Sequence, residues 1–206
     1  MSNILFLTSS PRGSASYSRQ VALALLRKLR DSEPSAEVVI RDLARTPLPH
    51  IDDDFMAATR SADGPQTAAQ KATAVQSDAL VDELIAADTV VIAAPMINFT
   101  IPSTLKTWID YVARAGRTFS YSESGPKGLV TGKRVYLVVA RGDVYSDKKQ
   151  FDFQVPYLRH VLGFLGMTDV EVIDIEGTAF GPQAAERAVA SVLATAGTTG
   201  LAQRAA

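Results

Sequence analysis

The sequence predicts an α/β protein: a doubly wound sheet of about five parallel strands with helices on both faces. Three observations carry this. Five short β-rich runs, NILFLT, AEVVIRDL, TVVIAAP, RVYLVVA and DVEVIDIEG, alternate with longer stretches of helical character. The runs are almost continuously apolar, as strands are when helices cover both faces of a parallel sheet. Right-handed crossovers then leave few other arrangements for about five βα units. At 206 residues, 47% hydrophobic and 21% charged, the chain suits one buried core, so one domain is expected over residues 1–206.

Taken in order, the first run leads through the turn TSSPRGSASYSRQ into the helical stretch VALALLRKL. Residues Ala44 to Gln70 are too many for an ordinary connection. They carry Phe55 and Met56, so a docked helical turn is expected there. The stretch SDALVDELIAAD sets Leu80, Val81, Leu84 and Ile85 on one stripe, with Asp78, Asp82 and Glu83 opposite. The excursion RTFSYSESGPKGLVTGK is read as turning at its Gly-Pro pair. In VPYLRHVLGFLG, Tyr157, Leu158, Val161, Leu162 and Leu165 share a helical spacing. QAAERAVASVLATAG is rich in helix formers, and the tail from about residue 197 is expected to fray.

Composition removes several functions. A net charge of −1 and a pI near 6.1 lack the basic excess that nucleic acid or an anionic membrane surface demands. With no cysteine there is no disulfide framework, thiolate nucleophile or cysteine-held metal. Redox chemistry must therefore be borrowed from a cofactor. The N-terminus has no basic n-region and the chain has no long apolar span, so a cytoplasmic protein is expected.

Ligands of such sheets sit beyond the carboxyl ends of the strands, which makes three strand exits the places to search. The first holds Ser10, Ser16 and Ser18 around Gly13, without a G-x-G-x-x-G or a G-x-x-x-x-G-K-[ST] pattern. Hydroxyls with amides at a helix N-terminus suit a phosphate without a fixed cation. The second exit, Pro95-Met96-Ile97-Asn98-Phe99, combines a thioether, an aromatic ring and an amide. That mixture suits a flat heteroaromatic ring needing apolar faces and a few directional hydrogen bonds. The third, Arg141-Gly142-Asp143, alone reads only as a turn.

These stretches, with IPSTLKTWIDYVARAGRTFSYSESGPKGLVTGK and VPYLRHVLGFLGMTDVEVIDIEG, resemble the FMN-dependent NADH-azoreductase and NADH:quinone oxidoreductase family from about residue 3 to about residue 195. The resemblance implies a flavodoxin-like fold and a homodimer with FMN at its interface, where Phe55 and Met56 are expected to dock on the partner. NADH or NADPH would donate electrons to a quinone or azo compound in a ping-pong cycle. It implies phosphate contacts at Ser10, Ser16, Tyr17 and Ser18. Ring contacts are implied at Met96, Ile97, Asn98 and Phe99 and at Ala140, Arg141, Gly142 and Asp143, beside Pro95 of the second exit as a further cofactor-binding candidate, and substrate-pocket walls at Tyr121 and Phe164. Hydride chemistry belongs to the flavin, so no catalytic side chain is demanded. Backbone N–H groups near Asn98 and Gly142 are expected to stabilise charge at flavin N1 and O2. Two departures stand out: Ile97 where the family usually has tyrosine, and Ala140-Arg141-Gly142-Asp143 where Ser-Arg-Gly-Gly is usual. A carboxylate at 143 is expected to oppose flavin reduction, by up to about 60 mV.

Rival readings are a flavodoxin-like electron carrier, a flavin reductase without azo activity, and a hydrolase. The hydrolase has only His50 and His160 to draw on, and no G-x-S-x-G elbow. The run Asp52-Asp53-Asp54 reads as a solvated turn, because consecutive acids point in different directions. No metal site is expected.

Overall fold

A computed structural model of the chain describes residues 2–60, 64, 66–123 and 125–199. In chain order the strands are β1 (Asn3–Thr8), β2 (Glu37–Asp42), β3 (Thr89–Pro95), β4 (Phe119–Ser122), β5 (Gly125–Gly128), β6 (Arg134–Ala140) and β7 (Asp169–Ile175). The helices are α1 (Tyr17–Ser32), α2 (Asp53–Arg60), α3 (Ala68–Ala86), α4 (Ser103–Val112), α5 (Val155–Leu165) and α6 (Pro182–Thr199). Five strands form one parallel sheet in the order β2-β1-β3-β6-β7, and β4 and β5 form a separate antiparallel hairpin.

Each central strand divides its side chains between two cores. Leu5, Leu7, Val90, Ile92, Leu137 and Val139 face α3, α4 and α5, around buried Trp108 and Tyr111. Their neighbours Ile4, Phe6, Val91, Ala93, Tyr136 and Val138 face the other way, onto α1 and residues of α6. Because successive side chains alternate faces and both faces are covered, the strands read as unbroken apolar runs. The edge strand β2 is the exception: Val39 and Ile40 are exposed.

Several expectations change in detail. The long segment does contain a docked helix, α2, but Phe55 is 2% exposed within its own chain, its ring centroid 4.7 Å from that of Tyr111. Docking of Phe55 onto a partner is thereby excluded, and only Met56 stays exposed. Asp52 is the N-cap of α2, accepting from Phe55 N–H at 2.8 Å, and Asp53 and Asp54 occupy the first helical turn, where carboxylates complement the helix dipole. Helix α3 starts at Ala68, well ahead of the amphipathic stretch, behind a Thr67–Gln70 capping box. Ile85, placed on its apolar stripe, is exposed.

The excursion is the β4–β5 hairpin. Ser122 pairs with Gly125, so the Gly-Pro pair lies on the returning strand and not at the turn. The hairpin's base abuts the end of α5 so closely that a Cβ on Gly128 would lie 2.2 Å from the Gly166 nitrogen. Only glycine fits there. Helix α6 continues to Thr199, and the rest of the tail expected to fray lies outside the described residues. Among the described residues no helix is long and apolar enough to cross a membrane.

Candidate functional site

The sheet's strand order reverses direction between β1 and β3, and eight of the predicted residues line a cleft there, which Ser18, Asn98, Phe99, Arg141 and Asp143 do not. A cleft of about 260 Å³ is lined by Ser10, Ser16 and Tyr17 from the first exit, Pro95, Met96 and Ile97 from the second, and Ala140 and Gly142 from the third. Pro11, Arg12 and Thr178 complete it. The sequence reading missed Arg12, although it lies within the serine-rich turn, and Thr178, which follows β7.

The first exit is organised locally. Ser16 is the N-cap of α1, its hydroxyl accepting from Arg19 N–H at 3.3 Å. Its oxygen also lies 3.1 Å from that of Ser18, and Ser10, Ser16 and Ser18 are all buried. A short 3₁₀ turn over Gly13–Ala15 precedes the cap, with Gly13 at φ +54°, where a side chain is disfavoured. Ser18 lies beneath the cleft, in contact with Ser16, and is not part of its surface.

The second exit is a two-residue turn. Ile97 N–H donates to the Thr100 carbonyl at 2.9 Å and Thr100 N–H returns to the Ile97 carbonyl at 3.1 Å. Between them Asn98 and Phe99 have φ of +47° and +71°. Both signs match a type I′ turn, whose preferred pair is Asn-Gly. Phenylalanine at the second position is a strained choice, and the residue is 54% exposed. Asn98 and Ile97 line an adjoining cavity of about 680 Å³, with Ile101, Pro102, Lys106 and Tyr157.

At the third exit the arginine side chain turns inward. The Arg141 side chain is 4% exposed and does not line the cleft. Its guanidinium lies 2.9 Å from Asp152 Oδ2, 2.9 Å from Asp174 Oδ2 and 3.9 Å from Glu176 Oε1, and packs over the Tyr145 ring. Asp152 in turn accepts from Gln154 and Val155 N–H at the start of α5. The Arg141 carbonyl accepts from Thr178 N–H and Oγ1. Arg141 therefore ties together the loops after β6 and β7 and the head of α5, while its neighbours Ala140 and Gly142 face the cleft. Asp174 Oδ1 is buried without a partner among the described residues, and burial, opposed by Arg141, pushes this carboxyl up to about 6.

Asp143 is not a bare carboxylate. Lys148 Nζ lies 2.6 Å from Oδ2, Val144 N–H donates to Oδ1, and these bonds hold its pKa below the usual value. Tyr121 and Phe164 both pack on Phe119, with ring centroids 5.5 and 4.6 Å from it, but line neither cavity. Both histidines are exposed, and the described residues contain no cluster of three potential metal ligands.

Buried hydroxyls at a helix N-terminus, with a thioether and small residues from two further strand exits, thus line one cleft at the switch point of a doubly wound sheet, where ligands of such sheets sit. A family model for the flavodoxin-like fold matches residues 2–199, and the chain belongs to that family. It is 58% identical over 191 residues to a Rhizobium etli protein named FMN-dependent NADH:quinone oxidoreductase 1, covering 92% of this chain and 93% of the relative. A Mesorhizobium japonicum protein named FMN-dependent NADH:quinone oxidoreductase is 52% identical over 194 residues, 93% of this chain and 92% of that one. Among solved structures, the azoreductase from Bacillus anthracis str. Sterne superposes with a TM-score of 0.86 at 35% identity, covering 95% and 97% of the two chains.

Proposed function

We propose that the chain is an FMN-dependent NAD(P)H oxidoreductase that reduces quinones and azo compounds. The observation that carries this reading is the switch-point cleft, which brings the serine-rich head of α1 together with Met96, Ala140 and Gly142. Its residues fit the group: Ser10, Ser16 and Tyr17 at the mouth of α1 take the phosphate, with Ser18 orienting Ser16. Met96, Ile97, Asn98 and Phe99, with Ala140 and Gly142, hold the ring. Arg141 keeps that end in place from below, and Asp143 lies at its margin. When bound, FMN supplies hydride acceptance and donation, which leaves the protein to bind and orient. With one cleft to serve both electron donor and acceptor, the two would bind in turn, as a ping-pong cycle requires. The similarity to quinone oxidoreductases and to an azoreductase supports this substrate range.

The same reading makes the chain a single FMN-binding domain acting as a cytoplasmic homodimer. Ile97, Phe99, Phe151 and Phe153 are all exposed, and Phe153 N–H donates to the Phe99 carbonyl, so this apolar surface adjoins the cleft. A partner covering it would supply the aromatic pair Tyr121 and Phe164 to the substrate pocket. The test is the absorption spectrum of the purified protein, followed by steady-state NADH oxidation with a quinone and with an azo dye. Bound FMN and parallel double-reciprocal lines are expected. Absence of flavin together with absence of NADH-dependent turnover overturns the reading, and sedimentation of a fully active monomer removes the dimer.

A further inference from the structure

Among the residues lining the switch-point cleft, Arg12 alone carries a charged side chain. Ion pairs of the described residues engage Arg41, Arg114, Arg117, Arg134 and Arg141, but not Arg12. Its guanidinium carbon instead lies 5.3 Å from the centroid of the Tyr17 ring, at the start of α1. Stacking on an aromatic face leaves the N–H edge of a guanidinium free, and that edge matches a pair of phosphate oxygens.

The backbone beneath it is shaped for the same task. Arg12 has φ −82° and ψ 0°, and Gly13 follows at φ +54°. A right-handed residue followed by a left-handed one turns successive N–H groups into a concavity that binds anions. Arg12 N–H donates to Ser10 Oγ at 3.3 Å, which fixes that hydroxyl at the cleft. The turn's own hydrogen bonds use the N–H groups of Ala15 and Ser16.

The geometry points to Arg12 as the cation that recognises the monoester phosphate of the cofactor, closing over a cradle otherwise made of hydroxyls and amides. This rests on the FMN reading of the cleft. A phosphate monoester carries a charge of about −1.5 to −2 at neutral pH, which dipoles alone offset only in part. With Arg12 present, the cleft distinguishes FMN from riboflavin, which has the same ring and no phosphate.

The test titrates apoprotein with FMN and with riboflavin, following flavin fluorescence, for the wild type, Arg12→Gln and Arg12→Lys. Arg12→Gln is expected to raise the FMN Kd about 10-fold or more, as loss of a charge-assisted contact does, and to leave the riboflavin Kd within about twofold. Arg12→Lys should retain most of the FMN affinity. Added salt should weaken FMN binding more in the wild type than in Arg12→Gln. The NADH KM of FMN-saturated enzyme should stay within about twofold, since the contact is to the resident phosphate. An equal loss for both flavins, no loss for either, or a defect confined to the NADH KM overturns the assignment; the last would place Arg12 on the donor's pyrophosphate. A wild type that binds riboflavin as tightly as FMN, or binds neither, overturns the cleft reading itself. That outcome is seen before any variant is made.

Discussion

The hydroxyl end of the cleft is made from one contiguous turn, whereas the opposite end is assembled from loops after three different strands. At the first, Ser16 caps the helix that follows it and Gly13 supplies the one left-handed residue the turn needs. Local rules suffice to build it. At the second, Ala140 is placed by its sheet pairing with Pro95 and Ile175, and Gly142 follows Arg141, which is anchored to Asp152, Asp174 and Glu176. A local site should lose ligand affinity before stability when its side chains are cut back. A site held by an ion cluster around a buried arginine should lose stability first, because removing the arginine leaves its partly buried carboxylates uncompensated.

The largest expected effect is therefore on Arg141. Replacement by Met removes the cation that two close carboxylates and a third nearby one share, and should destabilise the protein by about 3–5 kcal/mol. Arg141→Lys should recover only part, since one ammonium cannot span Asp152 and Asp174 as the planar fork does. Urea unfolding of the apoproteins measures both. A loss below about 1 kcal/mol for Arg141→Met, the range of an exposed pair, would show that water already screens the cluster.

The paired change Ser16→Ala and Ser18→Ala should act the other way round. FMN affinity should fall roughly 100-fold, while stability falls by about 1 kcal/mol for the lost helix cap. The two hydroxyls lie 3.1 Å apart, so the single changes are not expected to add. An unchanged FMN dissociation constant would falsify the phosphate role of this turn.

The same contrast explains what is legible in the sequence. Parallel strands buried on both faces announce themselves as apolar runs, so the sheet is readable. The serine turn is readable for its chemistry because its parts are neighbours in the chain. Arg12 sits in that same stretch and escapes notice, since hydroxyls and amides by themselves suit a phosphate. The Arg141 cluster cannot be read, because its carboxylates come from the segment before α5 and from β7 and its exit. The T-x-x-Q pattern of Thr67 and Gln70 is a usable signal for the start of α3, but it lies in a polar stretch ahead of the apolar periodicity that marks the helix. Asn98-Phe99 hides its turn because the second half of the usual Asn-Gly pair is missing.

That turn gives the next prediction. A left-handed non-glycine residue costs about 1–2 kcal/mol, so Phe99→Gly should be more stable than Phe99→Ala by about 1 kcal/mol. Comparing the two substitutions removes the ring from both and isolates the backbone. Reduction of quinone should fall in both, because the ring is lost in both. If the Phe99→Ala and Phe99→Gly proteins unfold at the same urea concentration, the turn is not strained.

Asp174 offers a smaller, pH-resolved effect at the anchored end. Its carboxyl lies at about 6 in the folded chain, against 3.8 for an unperturbed group, so the native state holds the proton more tightly than the unfolded state. Between these values the native state binds more protons, and stability from this group falls as pH rises. It is fully present below about pH 4 and lost through pH 6. The stability advantage of wild type over Asp174→Asn should therefore shrink as pH rises from 4 to 6. An advantage that is flat or grows over this window would remove the partly buried Asp174 carboxylate from the account.

The smallest effect expected is at Asp143, where a glycine would be usual in the family resemblance. A bare carboxylate beside the flavin would make it harder to reduce, but Lys148 lies 2.6 Å from Asp143 and turns the pair into an exposed dipole. Charges of opposite sign so close together cancel at the distance of the ring, and water screens what is left. Asp143→Gly removes the negative partner and frees the positive one, so both consequences raise the two-electron potential. Lys148→Met does the reverse and should lower it. Each shift should stay below about 20 mV, not the roughly 60 mV of an unscreened charge, and the double variant should return close to the wild type. Redox titration of the four proteins decides the matter. Shifts of the same sign in the two single variants would show that backbone rearrangement in the 143–148 loop, and not charge, sets the potential.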